Sequence, residues 1–381
     1  MPKMGTADLP LHYGKAPRWL FQRMTLLARE VCLAIVAEFG TQEMLRRLAD
    51  PFWFQSFGCV LGFDWHSSGV TTTVCGALKV GLKDVQHELG LYVAGGKGGT
   101  SRQTPQEIEA QGAHLCVDPA SLVYASRMAA KVDNSALQDG YQIYHHTFIF
   151  DPQGHWCVVQ QGMNVDRRYA RRYHWLSESL RDFVVEPHSA ICCDQRGEVL
   201  NMVARESEEA RYASALLARE MPGKLVGELQ RLQELELPSR HEVWLADVDP
   251  KRLSKIFLST YEQQPQNFEA LLSMPGVGPK TIRALSLLSE IVYGAQVSTR
   301  DPARFSFAHG GKDGHPYPVD RATYDRSIET LRTAIRQARL GQRDKLEAFK
   351  RLSLWEKQAA ATDELQTENP LLPGRAKDGS V

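Results

Sequence analysis

The side chains best suited to acid–base or metal chemistry lie in the N-terminal half of the chain. Five of them fall on predicted loops or strand ends, where polar groups face an edge or a cleft: Asp64, His66, Asp139, Gln142 and His146. Carboxylates and imidazoles bind divalent cations, and a bound cation can generate hydroxide beside a phosphodiester. The sequence therefore predicts a catalytic cluster of these five residues, in which Asp64, Asp139 and His146 bind Mg²⁺ or Mn²⁺.

This prediction depends on the five residues alone, because the sequence lacks the familiar motifs of metal-dependent nucleases and zinc enzymes. No carboxylate–x–lysine pattern of restriction-type nucleases accompanies the predicted hairpin strands, and no helical histidine pair with a glutamate marks a zinc site. Asp133 and His145 add two more groups of the same type. For any one of these histidines, a hydrogen-bonded structural role is the competing interpretation.

A second stretch with chemical potential is residues 271–292, LLSMPGVGPKTIRALSLLSEIV. The pattern predicts the end of one helix, a tight turn over residues 274–278, and a second helix that begins at Pro279, where proline is accepted. The backbone amides at such a helix start favour a phosphate, because they lack intrahelical partners and face the positive end of the helix dipole. The residues predicted to contact phosphate here are Gly276, Gly278, Lys280 and Thr281.

This stretch resembles the helix-hairpin-helix module of DNA repair glycosylases, recombination factors and structure-specific nucleases. The resemblance implies contact with the DNA backbone and no reading of bases, since phosphate contacts position a protein without specifying sequence. The competing interpretation is an ordinary helical hairpin with a glycine turn.

In glycosylase–lyases of that group, a lysine after the second hairpin glycine attacks the sugar, and a later aspartate assists it. Lys280 stands at the lysine position, and Asp320 resembles the aspartate. The separation is much longer than in that family, so residues 301–318 would have to loop out. The resemblance thus implies a second possible activity, base excision through Lys280 and Asp320.

Arginine residues suggest further nucleic-acid contacts. Residues 166–175 interleave arginines with aromatic residues, a composition typical of phosphate binding and base stacking. If the segment is helical, its arginines stack one turn apart; the alternative is a solvated helix face. A later predicted helix carries three more arginines on one face, which would extend the phosphate-binding surface. The predicted contacts are Arg167, Arg168, Arg171, Arg172, Arg332, Arg336 and Arg339.

A glycine-rich loop, GGKGGTSR, occupies residues 95–102. It fits neither the P-loop, because Lys97 is followed by glycine, nor the dinucleotide fingerprint, because Ser101 takes the place of the last glycine. A substrate-contacting loop and a plain turn both stay open for this segment.

Composition limits the possible classes of protein. The 381 residues are 43% hydrophobic and 24% charged, which is ordinary for a globular protein of two domains. The 45 basic and 45 acidic residues cancel, so a nucleic-acid surface must come from local patches. Seven cysteines without a C-x-x-C pair favour the reducing cytoplasm, and we expect neither a membrane span nor a signal peptide.

Periodicity predicts an α+β protein. Helices are expected at residues 17–39 and 41–50 and from residues 104 and 119, whereas a β-hairpin is expected over residues 141–161. Strict alternation would place Tyr144 with His146 on one strand face and His145 on the other. The predicted organisation is a mixed α/β domain (residues 1–200, candidate catalytic), an all-helical domain (201–358) with the helix-hairpin-helix at 268–292, and a disordered tail (359–381).

Several longer segments together resemble one known family. Residues 7–19, 58–69, 141–151 and 170–175 are similar to a prokaryotic domain-of-unknown-function family, number seven hundred sixty-three. The resemblance extends over about residues 4–355 and implies no activity.

The predicted function is DNA processing of repair or recombination type, most plainly by a metal-dependent nuclease that holds the phosphate backbone through the helix-hairpin-helix. Two alternatives stay open: a base-excision glycosylase with lyase activity, and a DNA-binding adaptor without catalysis.

Overall fold

The chain combines helices with an antiparallel β-sheet, as the sequence predicts. The structure is a computed structural model that describes residues 16–63, 68–193, 195–234, 249–303, 321–338 and 341–367; for residues 233, 321–328 and 355–367 it describes the backbone alone. No helix in these ranges is long and apolar enough to cross a bilayer.

The helices, in chain order, are α1 (Arg18–Ala49), α2 (Pro51–Leu61), α3 (Gly69–Leu82), α4 (Gln86–Leu89), α5 (Thr104–Glu109), α6 (Pro119–Lys131), α7 (Glu208–Leu217), α8 (Pro222–Gln233), α9 (Pro250–Gln263), α10 (Phe268–Ser273), α11 (Pro279–Tyr293), α12 (Arg321–Gln337) and α13 (Gln342–Thr367). The strands are β1 (Tyr92–Lys97), β2 (Leu137–Gln138), β3 (Gln142–Phe150), β4 (Trp156–Asn164), β5 (Tyr169–Leu176), β6 (Ala190–Cys192) and β7 (Leu200–Asn201).

Five strands form the main sheet in the order β1-β3-β4-β5-β6, and every neighbouring pair is antiparallel. β2 and β7 form a separate two-stranded ladder. Because the sheet is covered by helices on both faces, its strands alternate between two hydrophobic cores.

The first core lies between the sheet and α1–α3. Ile149, Cys157 and Val159 point from the sheet into it, together with the apolar faces of α1, α2 and α3. Leu331 and Ile335 of α12 and Leu352 of α13 pack into this core as well. We call this side of the sheet the α1 face.

The second core lies on the opposite side, which we call the α11 face. Phe148, Val158 and Tyr173 point into it from the sheet, and it continues without interruption into α6, α7 and α9–α11. β7 spans the predicted domain boundary between residues 200 and 201, and it pairs with β2 in the N-terminal half. The glycine turn is therefore packed against the sheet-bearing part of the chain.

The helical predictions for the first fifty residues are confirmed. α1 covers both predicted helices, and Gly40, the predicted stop, interrupts it with a φ of 83°. The starts of α5 and α6 and the β3–β4 hairpin also lie where the sequence places them.

Two predictions about strands are wrong. A register shift between Ile143 and His145 puts two consecutive side chains, Tyr144 and His145, on the α1 face, so the strict alternation breaks. The helical alternative for residues 166–175 also fails, because most of this segment forms β5, where alternate arginines face opposite cores.

Candidate functional site

The glycine turn is exposed at the surface between α10 and α11. Gly276 has a φ of 82°, a left-handed conformation that favours glycine. The first backbone bond of α11 runs from the amide of Ile282 to the carbonyl of Gly278 at 3.0 Å, so the amides of Lys280 and Thr281 precede the helical ladder. Lys280 is exposed, whereas Thr281 is 1% exposed as a whole residue, so of these two predicted contacts only Lys280 is open to a ligand.

Two polar side chains from the N-terminal half hold this turn in place. Lys131, the last residue of α6, donates to the carbonyls of Leu272 and Met274, the first at 2.7 Å. Gln138 of β2 donates to the carbonyl of Pro279 at 2.9 Å. Burial lowers the pKa of Lys131, which is consistent with a cation set into the interface between α6 and the turn.

A third contact closes the arrangement. Arg283 of α11 donates through Nε to Gln138 Oε1 at 2.9 Å. The amide of Gln138 thus bonds both the start and the second turn of α11. The N-terminal turns of α11 are thus tied to β2 through Gln138.

Exposed cations lie at one end of the sheet. Antiparallel pairing brings the end of β1 next to the start of β3, and the turn 165–168 joins β4 to β5 at the same end. The exposed cations at this end are Lys97, Arg102, Arg167 and Arg168. Arg168 has a φ of 58°, a left-handed conformation within the turn that joins β4 to β5.

Arg171 and Arg172 are not part of that surface, contrary to the sequence-based prediction of phosphate contact. Arg171 is 1% exposed and bonds Asp139 at 2.8 Å and Asp301 at 2.7 Å. Arg172 is fully buried on the α1 face and bonds Gln55 and His174. Their alternation in β5 points both guanidinium groups into the protein, because each side of this strand faces a core.

The arginines predicted near the C-terminus do not extend the hairpin surface. Arg332 is half-buried and Arg336 is exposed, but both belong to α12, which packs on the α1 face. The glycine turn belongs to the opposite face. Arg339 and Asp320 lie outside the described residues, as do Asp64 and His66.

The structure describes three members of the predicted catalytic cluster, Asp139, Gln142 and His146. Asp139 is buried and accepts hydrogen bonds from Arg171 and from the Tyr173 hydroxyl at 2.7 Å. His146 lies between Ser126, at 2.9 Å, and Gln160. Gln142 is exposed at the start of β3. Within the described ranges, no three histidine, cysteine or carboxylate side chains form a group that could hold a metal ion.

A buried network on the α11 face connects the groups that sequence reasoning had considered singly. Asp133 is fully buried in a π-helical segment (Val132–Ala136) and accepts hydrogen bonds from Gln160, Trp175 and His188. Gln160 continues the chain of bonds to His146, at 2.7 Å. Every polar group named here has a partner, so the network stabilises the packing of α6 on the sheet.

The α1 face carries a second polar row, and this one is incompletely bonded. Lys97, His145, Gln161 and Arg172 are direct cross-strand neighbours on β1, β3, β4 and β5. Burial, with smaller contributions from His146 and Lys97, lowers the pKa of His145 to about 3, so its imidazole is neutral. Nδ1 of His145 and Oε1 of Gln161 are buried and have no hydrogen-bond partner among the residues that the structure describes.

The glycine loop passes beside this row. Gly95 has a φ of 90°, and a Cβ there would lie 2.3 Å from the carbonyl oxygen of His146. Glu107 accepts a bond from the Gly95 amide, and Lys79 donates to the Gly95 carbonyl at 2.7 Å. The loop is thus anchored at Gly95, and Gly98 and Gly99 project into open space.

Comparison with known proteins identifies the family and adds no activity. The model of the family described as "Protein of unknown function (DUF763)" matches residues 5–319, and the chain belongs to that family. No curated protein matches the chain. No solved structure matches it either.

Proposed function

We propose that this protein binds DNA through the phosphate backbone, with the glycine turn at residues 274–278 as one contact and the cationic end of the sheet as a second. The observation that carries the proposal is the position of the turn, which Lys131 and Gln138 hold against the sheet-bearing part of the chain.

The chemistry of the turn suits a phosphate. The amide of the exposed residue Lys280 lies ahead of the first helical hydrogen bond, at the positive end of the dipole of α11. The ammonium of Lys280 adds a full charge beside this amide. This is the arrangement expected of a helix-hairpin-helix, and none of these groups discriminates between bases.

The two contacts lie within reach of one duplex. Gln138, which bonds the start of α11, precedes the first residue of β3 by four positions, a distance of at most about 14 Å along an extended chain. β3 begins at the same end of the sheet as Lys97 and the turn 165–168. Phosphates along one strand can therefore meet both the turn and the sheet end.

Fluorescence anisotropy with labelled single-stranded and duplex DNA tests the proposal. Lys280→Glu should weaken binding by about tenfold or more for every sequence, and Lys280→Ala should reduce the salt slope by about one. The matched control is Lys83→Glu, a charge reversal at an exposed lysine that follows α3. Equal affinity of Lys280→Glu and wild type, or a common loss in both variants, would contradict the proposal.

The sequence also predicts that the bound DNA is cleaved by a metal-dependent nuclease activity, and this stays a prediction. Asp139 and His146 make internal hydrogen bonds, and the other predicted ligand, Asp64, lies outside the described residues. Incubation of DNA substrates with Mg²⁺ or Mn²⁺ separates the alternatives: metal-dependent cleavage supports a nuclease, and binding without any product supports an adaptor.

The glycosylase–lyase alternative has a different signature. Attack by Lys280 on an abasic site forms an imine, which borohydride reduces to a stable covalent adduct. Lys280→Ala should then abolish trapping. Trapping of equal yield in that variant would eliminate Lys280 as the nucleophile.

A further inference from the structure

The polar row on the α1 face of the sheet holds two buried polar atoms with no hydrogen-bond partner in the described ranges of the chain. His145 is 1% exposed and Gln161 is fully buried, and the two residues face each other across β3 and β4. The rest of this core is largely apolar, with Ile149 and Val159 as near neighbours on the same strands. Buried polar groups are ordinarily bonded, so each exception calls for an explanation.

Gln161 offers a fixed acceptor. Its Nε2 donates to the carbonyl of Ser68 at 2.9 Å and to the hydroxyl of Tyr144, which uses both amide hydrogens. Oε1 is buried and has no partner in the described part of the chain. Because reversing the amide would set its oxygen against the Ser68 carbonyl, the free atom is the acceptor.

His145 supplies the complementary group. Its Nε2 lies 2.9 Å from the hydroxyl of Thr147, and in the tautomer in which that hydroxyl donates, the ring proton lies on Nδ1. Among the described residues, Nδ1 has no partner. In this tautomer the row presents a donor on β3 next to an acceptor on β4.

The neighbours of this pair are cationic, and one of them, Lys97, reaches the surface. Lys97, which pairs with His145, is exposed and lies over the ring of Tyr144 at 5.8 Å from its centroid. Arg172 continues the row beyond Gln161. Gly98 and Gly99, which follow Lys97, are exposed and have no atom within 4 Å of a Cβ position, so the row meets the surface at its Lys97 end.

We propose that this row binds a phosphomonoester, the terminal phosphate of a DNA strand, and this inference rests on the proposed function for the source of the phosphate. The phosphoryl oxygens accept from Lys97 and from Nδ1 of His145. The P–OH of the monoanion donates to Oε1 of Gln161. An internal phosphodiester has no P–OH and cannot make the last bond, so the row selects strand ends.

The first experiment uses the full chain and inorganic phosphate, followed by a deoxynucleoside 5′-monophosphate, with side-chain ¹⁵N NMR of the histidines as readout. Phosphate should shift Nδ1 of His145 and leave His146 unchanged, because both ring nitrogens of His146 are already bonded. Binding should strengthen as the pH falls from 7.5 to 6, since a phosphomonoester dianion takes up one proton, and becomes the monoanion, with a pKa of about 6. An unchanged His145 signal at saturating phosphate, as expected if a buried water bridges the pair, overturns the proposal.

The second experiment compares a 5′-phosphorylated oligonucleotide with its 5′-hydroxyl counterpart. The wild type should prefer the phosphorylated end by about tenfold, and Lys97→Ala and Gln161→Glu should lose that preference. Lys280→Ala is the control, because it should weaken both oligonucleotides equally. Equal binding of the two ends by the wild type refutes the inference and leaves the proposed function standing.

Failure of the proposed function can be told apart from failure of the phosphate site. If neither oligonucleotide binds while phosphate and the mononucleotide still shift His145, the proposed function fails and the site takes a free phosphomonoester. If the mononucleotide binds as tightly as the phosphorylated oligonucleotide, the rest of the strand makes no contribution, which again argues against a DNA end as the ligand.

Discussion

The ammonium group of Lys131 lies 2.7 Å from the carbonyl oxygen of Leu272 and joins the last residue of α6 to the helix that enters the glycine turn. The same ammonium also donates to the carbonyl of Met274. Carbonyls at the end of α10 lack intrahelical donors, so this lysine completes the helix from a distant part of the chain. The turn thus depends on the sheet-bearing half for its geometry.

Lys131→Met should loosen the turn. Hydrogen bonds from a charged donor contribute about 1.5–3 kcal/mol each, so we expect faster amide exchange over residues 268–293 and a loss of stability of that order. Lys83→Met, which removes an exposed lysine elsewhere, should leave exchange in this segment unchanged. Protection unaffected by Lys131→Met would show that the apolar packing of α11 alone holds the turn.

Arg167 and Arg171 are four residues apart and should respond to mutation in opposite ways. Arg167 is exposed in the turn 165–168, so Arg167→Ala should weaken DNA binding severalfold and change stability by less than about 0.5 kcal/mol. Arg171→Met leaves Asp139 and Asp301 as buried carboxylates without their cation, which should cost about 3–5 kcal/mol.

Urea unfolding and anisotropy, measured on both variants, separate these effects. Arg171→Lys should fall between wild type and Arg171→Met, because it keeps the charge and loses the two-pronged geometry. A stable Arg171→Met protein would show that the two carboxylates are protonated or rearranged when the cation is removed.

Gly95 should tolerate no side chain. A Cβ there would lie 2.3 Å from the His146 carbonyl, at a φ of 90°, and a strained φ alone costs about 1–3 kcal/mol. Gly95→Ala should therefore lower the free energy of unfolding by at least about 2 kcal/mol. Gly99→Ala is the matched control in the same loop, because nothing lies near its Cβ position, and thermal or urea unfolding should find it close to wild type.

Local sequence signals predicted the elements well, because caps, proline starts and glycine stops act over a few residues. Gly40 interrupts α1, and Thr104 and Pro279 begin α5 and α11. These signals depend on the local backbone and not on tertiary contacts. Burial is set by distant segments, so Arg171 and Arg172 were assigned to the surface. An arginine-rich strand with a core on each side looks the same in sequence as an exposed basic segment.

The polar rows were within reach of sequence reasoning but were missed. A hairpin turn at residues 151–154 pairs Phe150 with Trp156, and the same register brings His145 opposite Gln161 and His146 opposite Gln160. Polar pairs at buried positions of one hairpin signal an internal network. The bulge near Tyr144 could not be foreseen, since it depends on tertiary packing around Tyr144 and Gln161.

Buried neutral histidines predict that the protein loses stability in mild acid. Burial lowers the pKa of His145 to about 3 and also lowers the pKa values of His146 and His174, whereas an unfolded histidine titrates near 6.5. Below pH 6.5 the unfolded chain therefore binds protons that the folded chain excludes. Each such histidine reduces the free energy of unfolding by up to about 1.4 kcal/mol per pH unit, and for His145 the loss continues down to about pH 3.

Urea unfolding between pH 7.5 and 5 measures this slope. His145→Gln should make the slope shallower by up to about 1.4 kcal/mol per pH unit at the acid end of this range, because it removes one of the protons taken up on unfolding. His114→Gln changes an exposed histidine and should leave the slope as it is. An identical slope in His145→Gln and wild type would mean that His145 is protonated in the folded state, which would also remove the neutral donor from the proposed phosphate site.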